Sequence, residues 1–217
     1  MAPMAVNVRP VRLPLGLAGF ARISGVSRET LDRLTAYVDL LGQWNRRINL
    51  VSANTLGDVW RRHILDCAQL YELLPRQARV VVDLGSGAGL PGLVLAAMGV
   101  REIHLIESDL RKAAFLREAA RVMDVTPIIH PERIERAAAF TADAVVARAC
   151  ASLSQLIEYT EKFISDRSVC LFLKGEAARD ELAAAQRSWA MTAEIVPSLS
   201  DPSGAVVTLS AIHRVAS

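Results

Sequence analysis

Residues 80–92 have the sequence Val80-Val81-Val82-Asp83-Leu84-Gly85-Ser86-Gly87-Ala88-Gly89-Leu90-Pro91-Gly92. The apolar, β-branched beginning predicts a buried central strand of a parallel sheet. Four glycines follow, and the apolar residues after them predict the start of a helix. Glycine has no Cβ, so it permits a tight turn and a close approach of a ligand to the backbone. Because a helix N-terminus also offers free N–H groups, the segment predicts a nucleotide-type binding loop.

Two cofactors fit such a loop. The spacing Gly87-x-Gly89-x-x-Gly92 matches a dinucleotide fingerprint, but this pattern alone is weak evidence. An acidic residue before alternating glycines, here Asp83-x-Gly85, is typical of Rossmann-like S-adenosylmethionine (SAM)-dependent methyltransferases. In that interpretation Asp83 holds the charged methionine portion of SAM through the loop or through a water. The loop therefore favours SAM over NAD.

A second carboxylate supports nucleoside binding without choosing between the two cofactors. Residues 101–108 predict a strand that ends at Glu107, which lies 18 residues after Gly89. A carboxylate at this distance can accept hydrogen bonds from both hydroxyls of a ribose.

Composition limits the class of protein. The chain has 217 residues, enough for one α/β domain with an N-terminal extension, and its formal charge of +2 excludes a polycation. Residues 1–28 contain four arginines and no acid, and we expect residues 1–24 to form a mobile arm. No apolar run approaches the ~20 residues of a membrane span. The three cysteines are isolated and lack metal-ligand spacing, so we expect no metal and a cytoplasmic protein.

The remaining pattern predicts an α/β protein with three parts: the arm, a helical cap over residues 25–76, and a methyltransferase core over residues 77–217. Ser27 is expected to cap the first cap helix and Thr55 the second. In the core, strands and helices alternate, which predicts a mostly parallel sheet. Residues 192–197 and 205–213 predict two final strands that are antiparallel, because a short turn joins them.

Several segments together resemble one family, the bacterial 16S ribosomal RNA guanine-N7 methyltransferases, also called glucose-inhibited division protein B. The resemblance extends over roughly residues 26–215. Its segments are Leu41-Gly42-Gln43-Trp44-Asn45, Ile48-Asn49-Leu50, Arg62-His63-Ile64-Leu65-Asp66, Asp83 to Gly92, Arg148-Ala149 with Ser152-Leu153, and Leu173-Lys174-Gly175. The Gly-x-Gly-x-Gly pattern is generic, whereas Trp-Asn, Arg-His-x-x-Asp and Gly-Leu-Pro-Gly in this order are specific.

The resemblance implies a Rossmann-like fold, SAM as cofactor and a set of cofactor-binding residues. These residues are Gly85, Leu90, Glu107, Ile134, Glu135 and Arg148, and the loop pattern itself adds Asp83 and Gly87 as cofactor-binding candidates. At the ribose position, relatives often have Asp where this chain has Glu107. The Arg-containing arm before residue 25 lies outside the family pattern.

Each charged candidate also has a purely structural interpretation. Arg148, at the end of a predicted strand, is a candidate for positioning the reactants, or it pairs with a structural carboxylate. His63 and Asp66 are three residues apart on a helix and can pair with each other. Four further cations are candidates for RNA contact or for ordinary solvated charges: Arg46, Arg47, Arg133 and Lys174.

We therefore expect an enzyme that transfers the SAM methyl group to N7 of a guanine in 16S ribosomal RNA, either as free RNA or in the small-subunit particle. No residue is required as an acid or base, because guanine N7 carries a free lone pair. We expect a monomer with no membrane partner. Two alternatives remain: a methyltransferase for small molecules, and a SAM- or nucleotide-binding regulatory protein without turnover.

Overall fold

The computed structural model describes residues 10–148 and 150–215. Residues 1–9 of the predicted arm and Ala149 of the resembling segment Arg148-Ala149 lie outside the described residues.

A seven-stranded sheet in the order β3-β2-β1-β4-β5-β7-β6 forms the centre of the protein. Its strands are β1 (Val80–Leu84), β2 (Glu102–Ile106), β3 (Ile128–His130), β4 (Ala144–Arg148), β5 (Val169–Lys174), β6 (Trp189–Pro197) and β7 (Ala205–Arg214). The first five strands are parallel, and β7 pairs antiparallel with both β5 and β6. The predicted parallel sheet with a late antiparallel pair is thus confirmed.

Helices cover both faces of the sheet. The helices that follow the strands are α5 (Gly92–Ala97), α6 (Leu110–Val122), α7 (Leu153–Thr160) and α8 (Ala178–Ala185). Both faces of β1 are covered, so Val81, Val82 and Leu84 are fully buried, as expected for a continuous apolar run. The strand order reverses between β1 and β4, and open α/β sheets bind ligands at such a switch point.

The helices before β1 form a layer on the same face as α5 and α6. They are α1 (Leu17–Ser24), α2 (Arg28–Asn45), α3 (Ala53–Leu56), a π-helix (Trp60–Leu65), α4 (Asp66–Ala68) and a 3₁₀-helix (Gln69–Leu73). Their apolar side chains belong to the same hydrophobic cluster as those of α5 and α6. The division into arm, cap and core stays a prediction, but no separate hydrophobic core distinguishes the described cap residues.

The predicted mobile arm over residues 1–24 contains a helix, α1. Phe20 on this helix is fully buried, and its ring centroid lies 5.5 Å from that of Trp60. Gly25 ends the helix in a left-handed conformation with φ 61°. The helix has only eight residues, so packing of its apolar face, with Phe20 at the centre, stabilises it.

Of the two predicted helix caps, Ser27 is confirmed and Thr55 is wrong. Ser27 caps α2 as predicted, since its hydroxyl accepts a hydrogen bond from the Thr30 backbone N–H at 3.2 Å. Thr55 does not cap the second helix, because the π-helix, α4 and the 3₁₀-helix that form a continuous helical segment begin only at Trp60. Instead Thr55 lies within α3, and its hydroxyl contacts Nε2 of His63 at 2.7 Å. Single-turn π-helices like the one that contains His63 occur often at functional sites.

Candidate active site

A cavity of about 730 Å³ opens at the carboxyl ends of β1, β2, β4 and β5. Each of these strands contributes a residue at or just beyond its end: Gly85, Glu107, Arg148 and Lys174. The volume of the cavity is within the usual range of ligand pockets. The cavity therefore lies at the switch point of the sheet, where the sequence predicted the cofactor site.

The glycine loop between β1 and α5 forms one wall. Gly85 has φ +66°, and a Cβ at this position would lie 2.8 Å from Cβ of Cys150. At Gly89, with φ +79°, a Cβ would lie 2.4 Å from Cδ1 of Leu93. Both positions thus require glycine, because the left-handed conformation and the space exclude other side chains. Gly85, Gly87 and Leu90, all predicted to bind the cofactor, line the cavity.

Asp83 lies beneath this loop rather than in the cavity wall. Its side chain is fully buried, and Oδ2 accepts a hydrogen bond from the Gly92 backbone N–H at 3.0 Å. Its Oδ1 has no hydrogen-bond partner among the described residues. Burial raises the pKa of Asp83 to about 7, although the bonds from Gly92 and Ser86 partly oppose this effect. Asp83 does not line the cavity, so its predicted role of holding the methionine portion of SAM through the loop or a water stays a prediction.

Glu107 joins the loop to the second strand. Its two carboxylate oxygens accept hydrogen bonds from the backbone N–H groups of Gly87, at 2.8 Å, and Asp109, at 2.7 Å. The side chain lines the cavity and is 7% exposed. Glu107 therefore both orders the loop and presents a carboxylate at the position predicted for ribose.

The segment after β3 forms the neighbouring wall. Arg133, Ile134 and Glu135 all line the cavity, as two of them were predicted to do for the cofactor. The phenol of Tyr159, on α7, donates a hydrogen bond to Oε1 of Glu135 at 2.9 Å. Tyr159 could not be identified from the sequence, because nothing in its helical pattern indicates contact with a residue 24 positions earlier.

Arg148 connects β4 to the helical layer. Its Nη1 lies 3.3 Å from Oδ2 of Asp66 and 3.2 Å from the carbonyl oxygen of Arg62. Its Nη2 donates to Nδ1 of His63. The structural interpretation of Arg148 as the partner of a carboxylate is thus correct, but the arginine also lines the cavity. His63 and Asp66 do not pair with each other; both bind Arg148.

The electrostatics of this cluster follow from burial. The pKa of His63 falls to about 3, because burial disfavours its charged form and the Arg148 and Arg62 cations add to the effect. His63 is therefore neutral at physiological pH, and the contact with Arg148 makes Nδ1 the acceptor. Burial also raises the pKa of Asp66, against the opposing effects of Arg148 and of hydroxyl groups.

The connection between β6 and β7 closes this side of the cavity. Oδ1 of Asp66 accepts hydrogen bonds from the hydroxyls of Ser198, at 3.3 Å, and Ser200, at 2.6 Å. Arg62 pairs with Asp201 in the same connection. Residues 201–204 were predicted only as a turn, and no local sequence signal indicates the contact of Asp201 with Arg62, which lies 139 positions earlier.

Two polar side chains of α2 hold the loops that approach the cavity. The Tyr37 hydroxyl donates to the backbone carbonyl of Ala88 in the glycine loop at 2.8 Å. Asn45 accepts hydrogen bonds from the N–H groups of Leu50 and Val51, each at 2.9 Å. Asn45 lies in one of the segments that carry the family resemblance, whereas no sequence pattern indicated the contact of Tyr37.

The four cations proposed for RNA contact differ in position. Arg46 and Arg47 are exposed on the turn after α2, outside the cavity wall, and Arg133 is exposed at its edge. The prediction that Lys174 contacts RNA is wrong: its side chain is only 9% exposed, and Nζ lies 2.7 Å from a carboxylate oxygen of Glu181. A buried and paired ammonium does not provide a free charge for a phosphate.

Within the described residues, no group of three or more His, Cys, Asp and Glu side chains is arranged to hold a metal ion. No helix in residues 10–148 and 150–215 combines the length and hydrophobicity needed to cross a bilayer.

Comparisons with known proteins give a consistent result. The family model described as "GidB: rRNA small subunit methyltransferase G" matches residues 30–205. A protein of Rhodospirillum centenum named ribosomal RNA small subunit methyltransferase G is 58% identical over 193 residues, which are 89% of each chain. A protein of the same name from Paramagnetospirillum magneticum is 52% identical over 191 residues, covering 88% of this chain and 93% of that one.

Solved structures share the fold at low sequence identity. The structure of M. jannaschii TYW2 in complex with AdoMet superposes with a TM-score of 0.55 at 18% identity, over 78% of this chain and 80% of that one. A TehB-like SAM-dependent methyltransferase from Corynebacterium glutamicum also gives 0.55, at 12% identity, over 82% of this chain and 99% of that one. These likenesses establish a Rossmann-like methyltransferase fold.

Proposed function

The chain belongs to the GidB family of rRNA small subunit methyltransferases G, and on this premise we propose that it transfers a methyl group from SAM to N7 of a guanine in 16S ribosomal RNA. Family membership over most of the chain is the observation that carries the proposal. The residues of the cavity are consistent with it and suggest how each part acts.

The glycine loop and its surroundings fit SAM. Gly85 and Gly87 leave the backbone open to a ligand, and Glu107 has lone pairs for the hydroxyls of a ribose. We assign Ile134 and Glu135 to the adenine side, because they follow the strand next to β2. Oδ1 of Asp83, which has no partner among the described residues, fits an indirect contact with SAM through a water beneath the loop.

The chemistry requires alignment rather than proton transfer. Bound SAM supplies an electrophilic methyl group, and N7 of guanine already carries an available lone pair. The residues of the cavity therefore need only hold the two groups in line and limit the access of water. Orientation of this kind is worth up to about 7–11 kcal/mol of an activation barrier. A neutral His63 with a pKa of about 3 agrees with a site that lacks a general base.

The RNA would approach from the open side of the cavity. Arg46, Arg47 and Arg133 are exposed there or nearby, and such cations contact phosphates at the expense of bound counterions. The acceptor guanine has to be unstacked before it can enter a cavity of this kind. We propose that these three arginines contact the RNA backbone, whereas Lys174 is buried and paired with Glu181.

Methyl transfer from labelled SAM tests the function. The purified protein is incubated with free 16S ribosomal RNA, with small-subunit particles, or with a pool of metabolites, and the products are digested to nucleosides. Label in N7-methylguanosine from one of the RNA samples is expected. Label only in small metabolites would indicate a small-molecule methyltransferase. Binding of SAM without any labelled product would indicate a regulatory protein.

A further inference from the structure

The segment before α1 lies outside the region that the family model matches, which begins at residue 30. Residues 1–28 contain four arginines and no acidic residue. Neither the cofactor nor the chemistry of the proposed function requires this segment. The structure describes its part immediately before α1, residues 10–16, which is called the N-terminal strap below.

Two hydrogen bonds from its backbone fix the N-terminal strap. The Val11 N–H donates to the carbonyl oxygen of Leu199, in the β6–β7 connection, at 2.8 Å. The Leu15 N–H donates to Oδ1 of Asp58, which lies just before the π-helix, at 3.0 Å. Because backbone groups on both sides of Arg12 have fixed partners, the fold sets the position of this arginine.

The first of these bonds lies beside the cavity. Leu199 is followed by Ser200 and Asp201, which both line the cavity wall. Nη1 of Arg61 lies 2.6 Å from the carbonyl oxygen of Ser200 and 3.5 Å from that of Val11, so it joins the strap to the same connection. The N-terminal strap thus lies next to the cavity wall on the side of β5 and β7, away from β2 and β3.

The strap adds an unpaired cation to a side of the cavity where the neighbouring cations are paired. Arg61 forms an ion pair with Asp58, and Arg62 forms one with Asp201. A paired cation attracts a phosphate less strongly, because its carboxylate partner repels the phosphate. Arg12 is exposed, and among the described residues no carboxylate forms an ion pair with it. It therefore carries an unbalanced positive charge beside the cavity.

Resting on the proposed function, in which an RNA enters the cavity, we infer that the N-terminal strap is an RNA-binding surface and that Arg12 contacts a phosphate of the RNA backbone. A guanidinium suits this partner, because its N–H groups form charge-assisted hydrogen bonds with phosphate oxygens. The absence of acidic residues from residues 1–28 means that no charge in this segment repels a polyanion. The contact adds affinity on the β5–β7 side of the cavity without reading the sequence, because phosphates are the same at every base.

The salt dependence of RNA binding tests the inference. The affinities of the parent, Arg12→Ala and Arg12→Lys for free 16S ribosomal RNA and for small-subunit particles are measured by filter binding at several salt concentrations. Loss of one phosphate contact lowers the slope of log affinity against log salt by about 0.7–0.9, so the deficit of Arg12→Ala should shrink about threefold between about 50 and 200 mM salt. Arg12→Lys retains the charge and should retain the parental slope. The affinity for SAM should be the same in all three proteins.

Arg101→Ala is the matched control. Arg101 is also exposed, but it precedes β2 and so lies at the amino ends of the strands, whereas the cavity opens at their carboxyl ends. This variant loses the same charge from the opposite edge of the sheet. It should therefore bind RNA with the parental affinity and slope.

A second pair of variants tests whether the fixed position of the strap matters. Val11→Pro removes the N–H that donates to Leu199 but retains Arg12, because proline has no backbone N–H. It should lower the salt slope as Arg12→Ala does. Val11→Ala loses the same valine side chain but retains the N–H, and it should retain the parental slope. Circular dichroism and SAM affinity check that both variants are folded.

Several results would overturn the inference. A parental slope in Arg12→Ala, an equal loss in Arg101→Ala, or a parent that binds no free RNA would each do so. A loss in Arg12→Ala that is seen with particles but not with free RNA would identify a protein of the particle as the partner instead. A parental slope in folded Val11→Pro would exclude a role for the fixed strap.

The proposed function is judged by a different readout, the label in N7-methylguanosine. If the parent methylates RNA but Arg12→Ala has the parental slope, only the inference about the strap fails. If the parent transfers no methyl group but Arg12→Ala flattens the slope, the proposed function fails and the strap still binds RNA.

Discussion

Replacement of Asp83 by Asn is expected to stabilise the protein increasingly as the pH rises. Asp83 is fully buried, and one carboxylate oxygen lacks a partner among the described residues, so ionisation is unfavourable in the fold. Burial raises its pKa from 3.8 to about 7. Between pH 3.8 and about 7, the carboxyl group of Asp83 has lost its proton in the unfolded state but retains it in the folded state. Unfolding then releases a proton, and rising pH favours it until the folded group ionises too.

The size of the expected change in unfolding free energy follows from the pKa shift of Asp83. Three pKa units at 1.36 kcal/mol each amount to about 4 kcal/mol once both states are ionised. About 1.5 kcal/mol of this has developed at about pH 5, so roughly 2–3 kcal/mol develops between about pH 5 and pH 8.5. Asn retains an acceptor for the Gly92 N–H but does not titrate. The unfolding free energy of Asp83→Asn, relative to the parent, should therefore increase by this amount across the interval.

Urea denaturation of both proteins at a series of pH values measures the difference. The titration of His63, whose folded pKa of about 3 makes stability fall as pH drops below 6.5, is common to both proteins and cancels. Asp143→Asn is the matched control. The N–H groups of Arg79 and Val80 lower the Asp143 pKa, so its contribution is lost only at more acidic pH. A difference for Asp83→Asn that is constant with pH would refute a buried carboxylate with a raised pKa.

Four further variants test the proposed site. Glu107→Ala should weaken SAM binding by about 1–3 kcal/mol in calorimetry, the range for a lost charged hydrogen bond, and an unchanged affinity would remove it from the ribose site. Gly85→Val should nearly abolish SAM binding in a protein that circular dichroism still finds folded. The left-handed φ of +66° and a contact of 2.8 Å between the added Cβ and Cβ of Cys150 leave no room for a side chain, so the loop that meets the cofactor has to shift. Affinity within about threefold of the parent would refute this. Arg46→Ala with Arg47→Ala should weaken RNA binding but not SAM binding, and should flatten its salt dependence by roughly one unit per lost phosphate contact; an unchanged slope would mean that both face only solvent. His63→Ala should introduce no pH dependence into methyl transfer at saturating SAM, because His63 is already neutral; a rate that rises with pH in the parent and not in the variant would identify a base.

The centre of the fold could be predicted from local sequence. A β-branched run, alternating glycines and an apolar helix start within residues 80–97 define the strand, the loop and the helix without help from distant residues. The carboxylate of Glu107 was also predictable, because the length of one βαβ unit fixes where the second strand ends. These features depend on backbone conformation and on the spacing of apolar residues, which local sequence largely determines.

The other half of the site could not be predicted, because it depends on contacts between distant residues. Arg148 meets Asp66 from 82 positions away, and Asp66 meets Ser200 from 134 positions away. Nothing in the sequence around Lys174 indicated that Glu181 would neutralise it. The π-helix that turns His63 towards Arg148 likewise has no local signature, so a pattern with helical spacing was interpreted as a regular helix.

Replacement of a single atom in the RNA tests most directly whether N7 of guanine accepts the methyl group. Once the acceptor guanine is mapped, RNA with 7-deazaguanine at that position differs only by a carbon in place of N7. With labelled SAM, this RNA should bind with the affinity of the guanine RNA and accept no methyl group at that position. Transfer of a methyl group to the 7-deazaguanine nucleotide would contradict N7 as the acceptor atom.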